Sequence, residues 1–271
     1  IGLAVSITLI LYVLDQLSYD KHFDNHDRIV HLLTVADKEG EKTCYPISLV
    51  SAYTELPAKV PGIEAAVEIY NLYEIELSID NKRYQGIQTL MVEPEFFQVF
   101  STTFLEGSPA SALSAPGSAV ITRKQADVLF GGIEQAMGKT IIAYEMEFTV
   151  TAVVEEFPKN THFRFDMLVD FENRFGIKDA RGLEFHTFYK LKKDVSIEET
   201  RRVIEQEYTQ LLKPWGERAS IKAYGETEML DDVYLRSKAT FTLDKGSSMT
   251  YVWIMTGLAF FILILAITNF I

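Results

Sequence analysis

Hydrophobic and polar positions divide the chain into three stretches. Residues 1–14 and 251–271 contain no Asp, Glu, Lys or Arg, and every charged side chain lies between them. About 20 apolar residues at 1.5 Å each cross a hydrocarbon core of about 30 Å, so residues 251–271 predict a membrane-spanning helix rather than a buried core helix. Residues 1–14 reach only about 21 Å and lack signal-peptide features, which favours part of a spanning helix in a chain fragment.

The polar run after the first apolar stretch predicts a stalk. Leu17, Tyr19 and Phe23 interrupt this run at spacings near three to four, which would place them on one helical face. We therefore expect the first spanning helix to continue beyond the membrane.

Strands and helices are both predicted in the middle stretch, which gives an α+β fold class. A hairpin is expected to turn at Asp80 and Asn81. Further strands are expected at residues 28–35, 148–154, 185–191, 232–235 and 240–243.

Three helices are marked by their end signals. The first is expected at residues 46–56 and is ended by Pro57. Capping-box spacings start the other two, one at Thr122 and one at Ser196, and Pro214 is expected to end the last. Its apolar stripe is Ile197, Ile204, Tyr208 and Leu211. A serine at 247 or 248 is expected to cap the second spanning helix.

Charge and cysteine content restrict the function classes. The chain has 26 Lys and Arg against 38 Asp and Glu, a net charge of −12, which argues against a nucleic-acid partner. Cys44 is the single cysteine, so no intrachain disulfide can form. Tyr12, Tyr251 and Trp253 are expected at the headgroup level of a lipid bilayer. The domain is too long for charge counting to orient it.

Two short motifs suggest ligand binding without meeting its requirements. Gly138, Lys139 and Thr140 imitate a phosphate-binding loop, but the required first glycine is Ile133, and a helix precedes where a strand should. His22 and His26 are spaced for one helical face and could bind zinc, or they could belong to a solvated stalk.

No catalytic constellation is visible in the sequence. Cys44 has no low-pKa setting, no nucleophile elbow occurs, and His162 and His186 lie in or beside strand-like runs that favour structural roles. We therefore assign no catalytic, cofactor or metal residue and do not expect an enzyme.

Several segments together resemble permease subunits of ABC transporters that carry a MacB-like periplasmic core domain, the FtsX-like permease family. The most specific segment is LSYDKHFDNHDRIV at residues 17–30, and a second is VEPEFFQVF at residues 92–100, followed by Leu-Glu-Gly at 105–107. Later segments in the same order are residues 119–131, 137–140, 148–154 and 158–166. One departure is Thr161, where serine is common.

The resemblance implies an extracytoplasmic domain of two subdomains between two transmembrane helices. A Porter-like subdomain would contain an inserted Sabre-like subdomain. The implied boundaries are residues 1–20 for the first helix and stalk, 21–91 and 181–246 for the Porter-like parts, 92–180 for the insert and 247–271 for the second helix.

The resemblance also implies function, partners and place. The domain would couple ATP hydrolysis in a separate ABC ATPase subunit to export, lipoprotein release or similar mechanotransmission. Expected partners are that ATPase, a second permease in a homo- or heterodimer, a periplasmic adaptor or lipoprotein, and the lipid bilayer. The protein would be a multi-pass protein of the bacterial inner membrane, with this domain in the periplasm. Candidate transmission residues in the stalk are Leu17, Tyr19, Asp20, Phe23, Asp27 and Arg28.

Two other function classes share this hydropathy profile. A signalling receptor could bind a ligand with an extracytoplasmic domain between two spans, and the segments of the protein beyond residue 271 would distinguish it from a permease. A membrane-anchored enzyme would need an apolar pocket with convergent polar groups.

Overall fold

The computed structural model describes residues 2–170, 182–240, 243 and 246–269. Eight α-helices occur in this part of the chain: α1 Gly2–Leu17, α2 Ser51–Lys59, α3 Phe96–Val99, α4 Arg123–Phe130, α5 Ile133–Ala136, α6 Ile197–Ala219, α7 Leu230–Arg236 and α8 Met249–Thr268. The strands are β1 Ile29–Lys38, β2 Glu41–Tyr45, β3 Ser48–Leu49, β4 Ile63–Ile79, β5 Lys82–Val92, β6 Phe104–Glu106, β7 Ser118–Thr122, β8 Thr140–Ala143, β9 Met146–Val154, β10 Met167–Asp170, β11 Leu183–Leu191 and β12 Lys222–Met229. A short 3₁₀ helix, His26–Arg28, leads into β1.

One mixed sheet connects these strands, nine of which lie in the order β12-β1-β11-β4-β5-β10-β7-β9-β6. Of the other three, β2 pairs with β1, β3 with β11, and β8 with β4 and β9. The β4–β5 hairpin lies at its centre and turns at Asp80 and Asn81, both with positive φ, as the sequence predicts. On one side of the hairpin the pairings are antiparallel, whereas β5 pairs with β10, and β7 with β9, in parallel. The α+β prediction is confirmed.

Three buried clusters form the core. The first is aromatic and includes Phe23, Phe100 and Phe163, and the second is mainly aliphatic. The third lies between the sheet and helices α2 and α6. The first two clusters draw side chains from both the 21–91 and the 92–180 regions. The subdomain boundaries stay a prediction, and part of the predicted insert lies outside the described residues.

The two terminal helices pack side by side. Gly2 lies against Ala266, and Leu14 and Thr256 line one groove, so α1 and α8 are antiparallel. Among the described residues, α8 is the helix long and apolar enough to cross a membrane, and α1 is a shorter apolar helix. Ser248 caps α8 by accepting a hydrogen bond from the amide of Thr250, as predicted.

The predicted helical stalk is wrong. Helix α1 ends at Leu17, and the following residues turn, with Asp20 and Asn25 at φ of 63° and 57°. Phe23 is buried in the aromatic cluster, whereas a continued helix would hold it outside the domain. Burial of this ring therefore favours the turn over further helix.

Three other expectations about elements are corrected. Residues 232–235 belong to helix α7, whose buried Leu230 and Val233 have helical spacing. Helices α2 and α6 continue past Pro57 and Pro214, and α2 starts only at Ser51. The strand expected at residues 240–243 lies mostly outside the described residues.

Candidate functional site

The segment that leaves α1 is hydrogen-bonded to a distant part of the chain. Asn160 donates from its side-chain amide to the carbonyl and hydroxyl oxygens of Ser18, at 3.2 and 2.8 Å. The backbone amide of Asp20 donates to the carbonyl of Asn160 at 2.9 Å. The first residues after the apolar helix are thus held by the loop after β9. We call residues 16–28 with their partners the junction.

Asp20 is the buried polar centre of the junction. Its Oδ1 accepts a hydrogen bond from the backbone amide of His162 at 2.9 Å, and the Nδ1 of His162 lies 2.9 Å from the same oxygen. His22 lies beside this pair, 3.3 Å from the hydroxyl of Thr161. Burial lowers the pKa of His22 below its ordinary value, and the charge of Asp20 opposes that shift. The arrangement fixes the left-handed backbone at Asp20.

Tyr234 joins both apolar helices to the domain. The ring of Tyr19 stacks on that of Tyr234 with centroids 3.4 Å apart, and the Tyr234 hydroxyl donates to Oε1 of Gln16 in α1. The amide of Ser247, just before α8, donates to the carbonyl of Tyr234 at 2.8 Å. Burial, and then the contact with Tyr234, raise the pKa of Tyr19. A single residue of α7 therefore contacts the end of α1 and the residue before the cap of α8.

Phe23 anchors the junction in the core. Its ring packs edge-on against Phe100 and Phe157, at centroid distances of 5.1 and 5.0 Å, and lies parallel to Phe163 at 6.1 Å. Edge-to-face pairs at these distances are favourable beyond their buried area. Movement of this segment would disturb the aromatic cluster.

The end of the junction is tied to β11 and α7. His26 donates from Nδ1 to Asp231 at 2.7 Å. The guanidinium of Arg28 donates to the carbonyls of Leu191, Lys192 and Val195. These contacts connect the chain before β1 to the loop that precedes α6.

Four of the six predicted transmission residues therefore lie in one contact network, although not on one helical face. Leu17 ends α1, and Tyr19, Asp20, Phe23 and Arg28 contact the domain in different directions. Asp27 is exposed and has no side-chain hydrogen bond with any described residue. Whether these residues transmit motion stays a prediction.

Sequence reasoning missed the partners of the junction. Asn160 and His162 are 142 positions from Ser18 and Asp20, and Tyr234 is 218 positions from Gln16. The first two fall in the 158–166 segment that contributed to the family resemblance, but nothing in the sequence marked Tyr234.

The residues that the sequence suggested for metal binding, catalysis or phosphate binding do not form a common site. His22 and His26 do not share a helical face, and His26 is bonded to Asp231. In the part of the chain that the structure describes, no group of three or more His, Cys, Asp or Glu is placed to bind a metal. Burial raises the pKa of the Cys44 thiol to about 11, which disfavours the reactive thiolate. Gly138 and Lys139 lie between helix α5 and strand β8, which begins at Thr140, the order expected from the sequence.

Solved structures of similar fold include a permease domain, a periplasmic region and an extracellular domain. A domain of a putative permease protein from Porphyromonas gingivalis matches with a TM-score of 0.63 at 21% identity, covering 76% of this chain and 91% of that one. The periplasmic region of MacB from Actinobacillus actinomycetemcomitans matches with a TM-score of 0.52 at 15% identity, covering 79% and 96%. The extracellular domain of the ABC-type transporter YknZ from Gram-positive bacteria has the same TM-score and identity, covering 74% and 99%. A comparison with curated protein sequences gave no match.

The fold is therefore that of the extracytoplasmic domains of permeases. The family described as the MacB-like periplasmic core domain matches residues 1–207, more than half of the chain. The chain belongs to this family, which is the periplasmic domain of inner-membrane ABC transporter permeases and is not itself the catalytic component.

Proposed function

We propose that this domain couples ATP hydrolysis in a partner ABC ATPase subunit to movement on the periplasmic side of the membrane. The protein would act as a multi-pass permease subunit in a homo- or heterodimer. The work done would be export, lipoprotein release or a similar mechanical step, together with a periplasmic adaptor or lipoprotein.

The observation that carries this proposal is the way α1 enters the domain. A flexible linker would absorb a displacement of α1, but the residues after Leu17 are bonded to Asn160 and His162, and Phe23 is buried in the core. Tyr234 also contacts the segments next to both apolar helices. Packed elements transmit displacement because they do not deform continuously.

The test separates ATP hydrolysis from movement of the domain. The full-length permease would be reconstituted with its ATPase subunit in nanodiscs that contain acceptor-labelled lipid. Cys44 would be replaced by serine, and the donor fluorophore would be attached to a new cysteine in the variant Lys38→Cys. Lys38 ends β1, which begins beside the junction, and ten residues of strand extend about 30 Å. ATP is expected to change the energy transfer between this position and the bilayer.

A Gly-Gly insertion between Leu17 and Ser18 is the diagnostic variant. We expect ATPase activity to remain while the ATP-dependent change in energy transfer is largely lost. The matched control is a Gly-Gly insertion between Asp80 and Asn81, in the exposed hairpin turn, which should leave both measurements unchanged. A normal ATP-dependent change with the first insertion would show that α1 does not drive the domain.

A further inference from the structure

A cleft of about 700 Å³ opens beside the junction. Its walls include two buried aromatic side chains, Phe157 and Phe165, and three cationic side chains, Lys124, Lys159 and Arg164. Cations beside aromatic surface suit a ligand that joins a negative group to an apolar one.

The cleft is next to the segments that connect the apolar helices to the domain. Lys159 directly precedes Asn160, which is bonded to Ser18, the residue after α1. Leu243, which also lines the cleft, comes five positions before Ser248, the cap of α8. If α1 and α8 lie in the bilayer, Lys159 and Leu243 lie near the membrane surface, within reach of lipid headgroups.

Three positively and two negatively charged side chains line this cleft. Glu156 and Asp166 also line it, but Glu156 accepts a hydrogen bond from the backbone amide of Lys124 at 2.6 Å, and Asp166 accepts one from that of Gln88 at 3.1 Å. The ammonium groups of Lys124 and Lys159 have no hydrogen-bond or ion-pair partner among the described residues. Three cations in one cleft are notable in a chain with a net charge of −12.

Tyr73 stands at the edge of the cleft in an unfavourable backbone conformation. Its side chain is 70% exposed and its φ is 59°, a region that bulky residues rarely adopt. The side chain of Asn71 holds this conformation by accepting a hydrogen bond from the amide of Tyr73 at 2.7 Å. Tyrosine side chains favour the headgroup level of a bilayer, because the ring is amphipathic.

We propose that this cleft binds the phosphate headgroup of an anionic phospholipid from the leaflet facing the domain. Lys124, Lys159 and Arg164 hold the phosphate, and the aromatic walls contact the glycerol and the first methylene groups. The headgroup then links the domain to the lipid surface beside the junction. This binding does not depend on ATP-driven movement, and its test is separate from that of the proposed function.

The probe is dihexanoyl phosphatidylglycerol, titrated into the whole chain in detergent and followed by calorimetry. Replacing two phosphate contacts, in Lys124→Glu with Lys159→Glu, should weaken binding by at least about tenfold. The matched control is Lys38→Glu with Lys213→Glu, which makes the same charge change at exposed positions remote from the junction and should leave the affinity unchanged. Tyr73→Asn should weaken binding severalfold without lowering Tm, because Asn accepts positive φ.

The proposal would be overturned if the double variant and its control bound dihexanoyl phosphatidylglycerol with equal affinity. It would also be overturned if dihexanoyl phosphatidylcholine bound as tightly as dihexanoyl phosphatidylglycerol, because recognition by the cationic side chains would then not be needed. Inorganic phosphate that binds as tightly as the lipid, with the same loss in the double variant, would overturn the lipid assignment and indicate a free-phosphate site. A loss of affinity for the lipid in the double variant but not in its control, together with weak binding of inorganic phosphate, would support a lipid headgroup site.

Discussion

Glu68 is a buried carboxyl group in the middle of β4, with 1% of its surface exposed. It lies opposite Thr187 of β11, and its Oε1 has no hydrogen-bond partner in the described part of the chain. Burial, with the nearby charge of Glu93 as a second cause, raises its pKa to about 9. Glu68 is therefore protonated at neutral pH.

This shift predicts a pH dependence of stability. The folded chain keeps a proton on Glu68 that the unfolded chain loses above its ordinary pKa of 4.5, so the free energy of unfolding falls as pH rises from about 4.5 to about 9. The slope is at most roughly 1.4 kcal/mol per pH unit. Glu68→Gln should remove this contribution and raise Tm more at pH 8 than at pH 5. Thermal unfolding at both pH values would be measured for Glu68→Gln and for the exposed control Glu74→Gln. An equal change in Tm of Glu68→Gln at pH 5 and pH 8 would contradict the prediction.

Helix α6 shows how packing overrides a local stop signal. Pro214 lacks the amide that an interior helical residue donates, yet the helix continues to Ala219. Ile204, Tyr208 and Leu212 are buried against the third core cluster on one face, and Gly216 continues that face against the backbone of Ile221. All four positions of the predicted stripe face the third core cluster: Ile204 and Tyr208 are buried in it, and Ile197 and Leu211 are partly buried against it.

Replacement of this proline should stabilise the protein. Pro214→Ala restores the missing donor at an exposed site and should raise the free energy of unfolding by about 1 kcal/mol or more. Denaturant titration measures the change, with Lys213→Ala at the neighbouring exposed position as the control. A loss of stability would mean that the proline ring makes a contact that outweighs the hydrogen bond.

At the scale of the whole molecule, the membrane-proximal segment is part of the core. Phe23 belongs to the aromatic cluster that also contains Val67 of β4 and Val120 of β7. The phenylalanine six positions after the end of α1 therefore belongs to a core cluster that draws on both predicted subdomain regions. The junction and the sheet should unfold together.

Phe23→Ala tests this cooperativity. Truncating a buried phenylalanine costs about 3–5 kcal/mol, whereas Phe23→Leu should cost less because most of the volume remains. Fluorescence of the half-buried Trp215 on α6, remote in sequence from the junction, would follow denaturation of the whole chain. A normal unfolding midpoint for Phe23→Ala would show that the junction is independent of the core. Exposed Val128→Ala is the control.

The sequence alone predicted the features that depend on local chemistry. The apolar ends, the hairpin turn at Asp80 and Asn81, and the helix caps at Thr122, Ser196 and Ser248 arise from residue types a few positions apart. The family resemblance was likewise available from ordered short segments, and the family match confirms it.

Tertiary structure decided the features that depend on contacts between distant residues. The turn after Leu17, helix α7 in place of a strand and the passage of α6 through Pro214 each reflect burial against segments far along the chain. The partnership of Asp20 with His162 and that of Gln16 with Tyr234 could not be read from spacing. Hydrophobic burial sums over the whole fold, so it can outweigh a local preference worth about 1 kcal/mol.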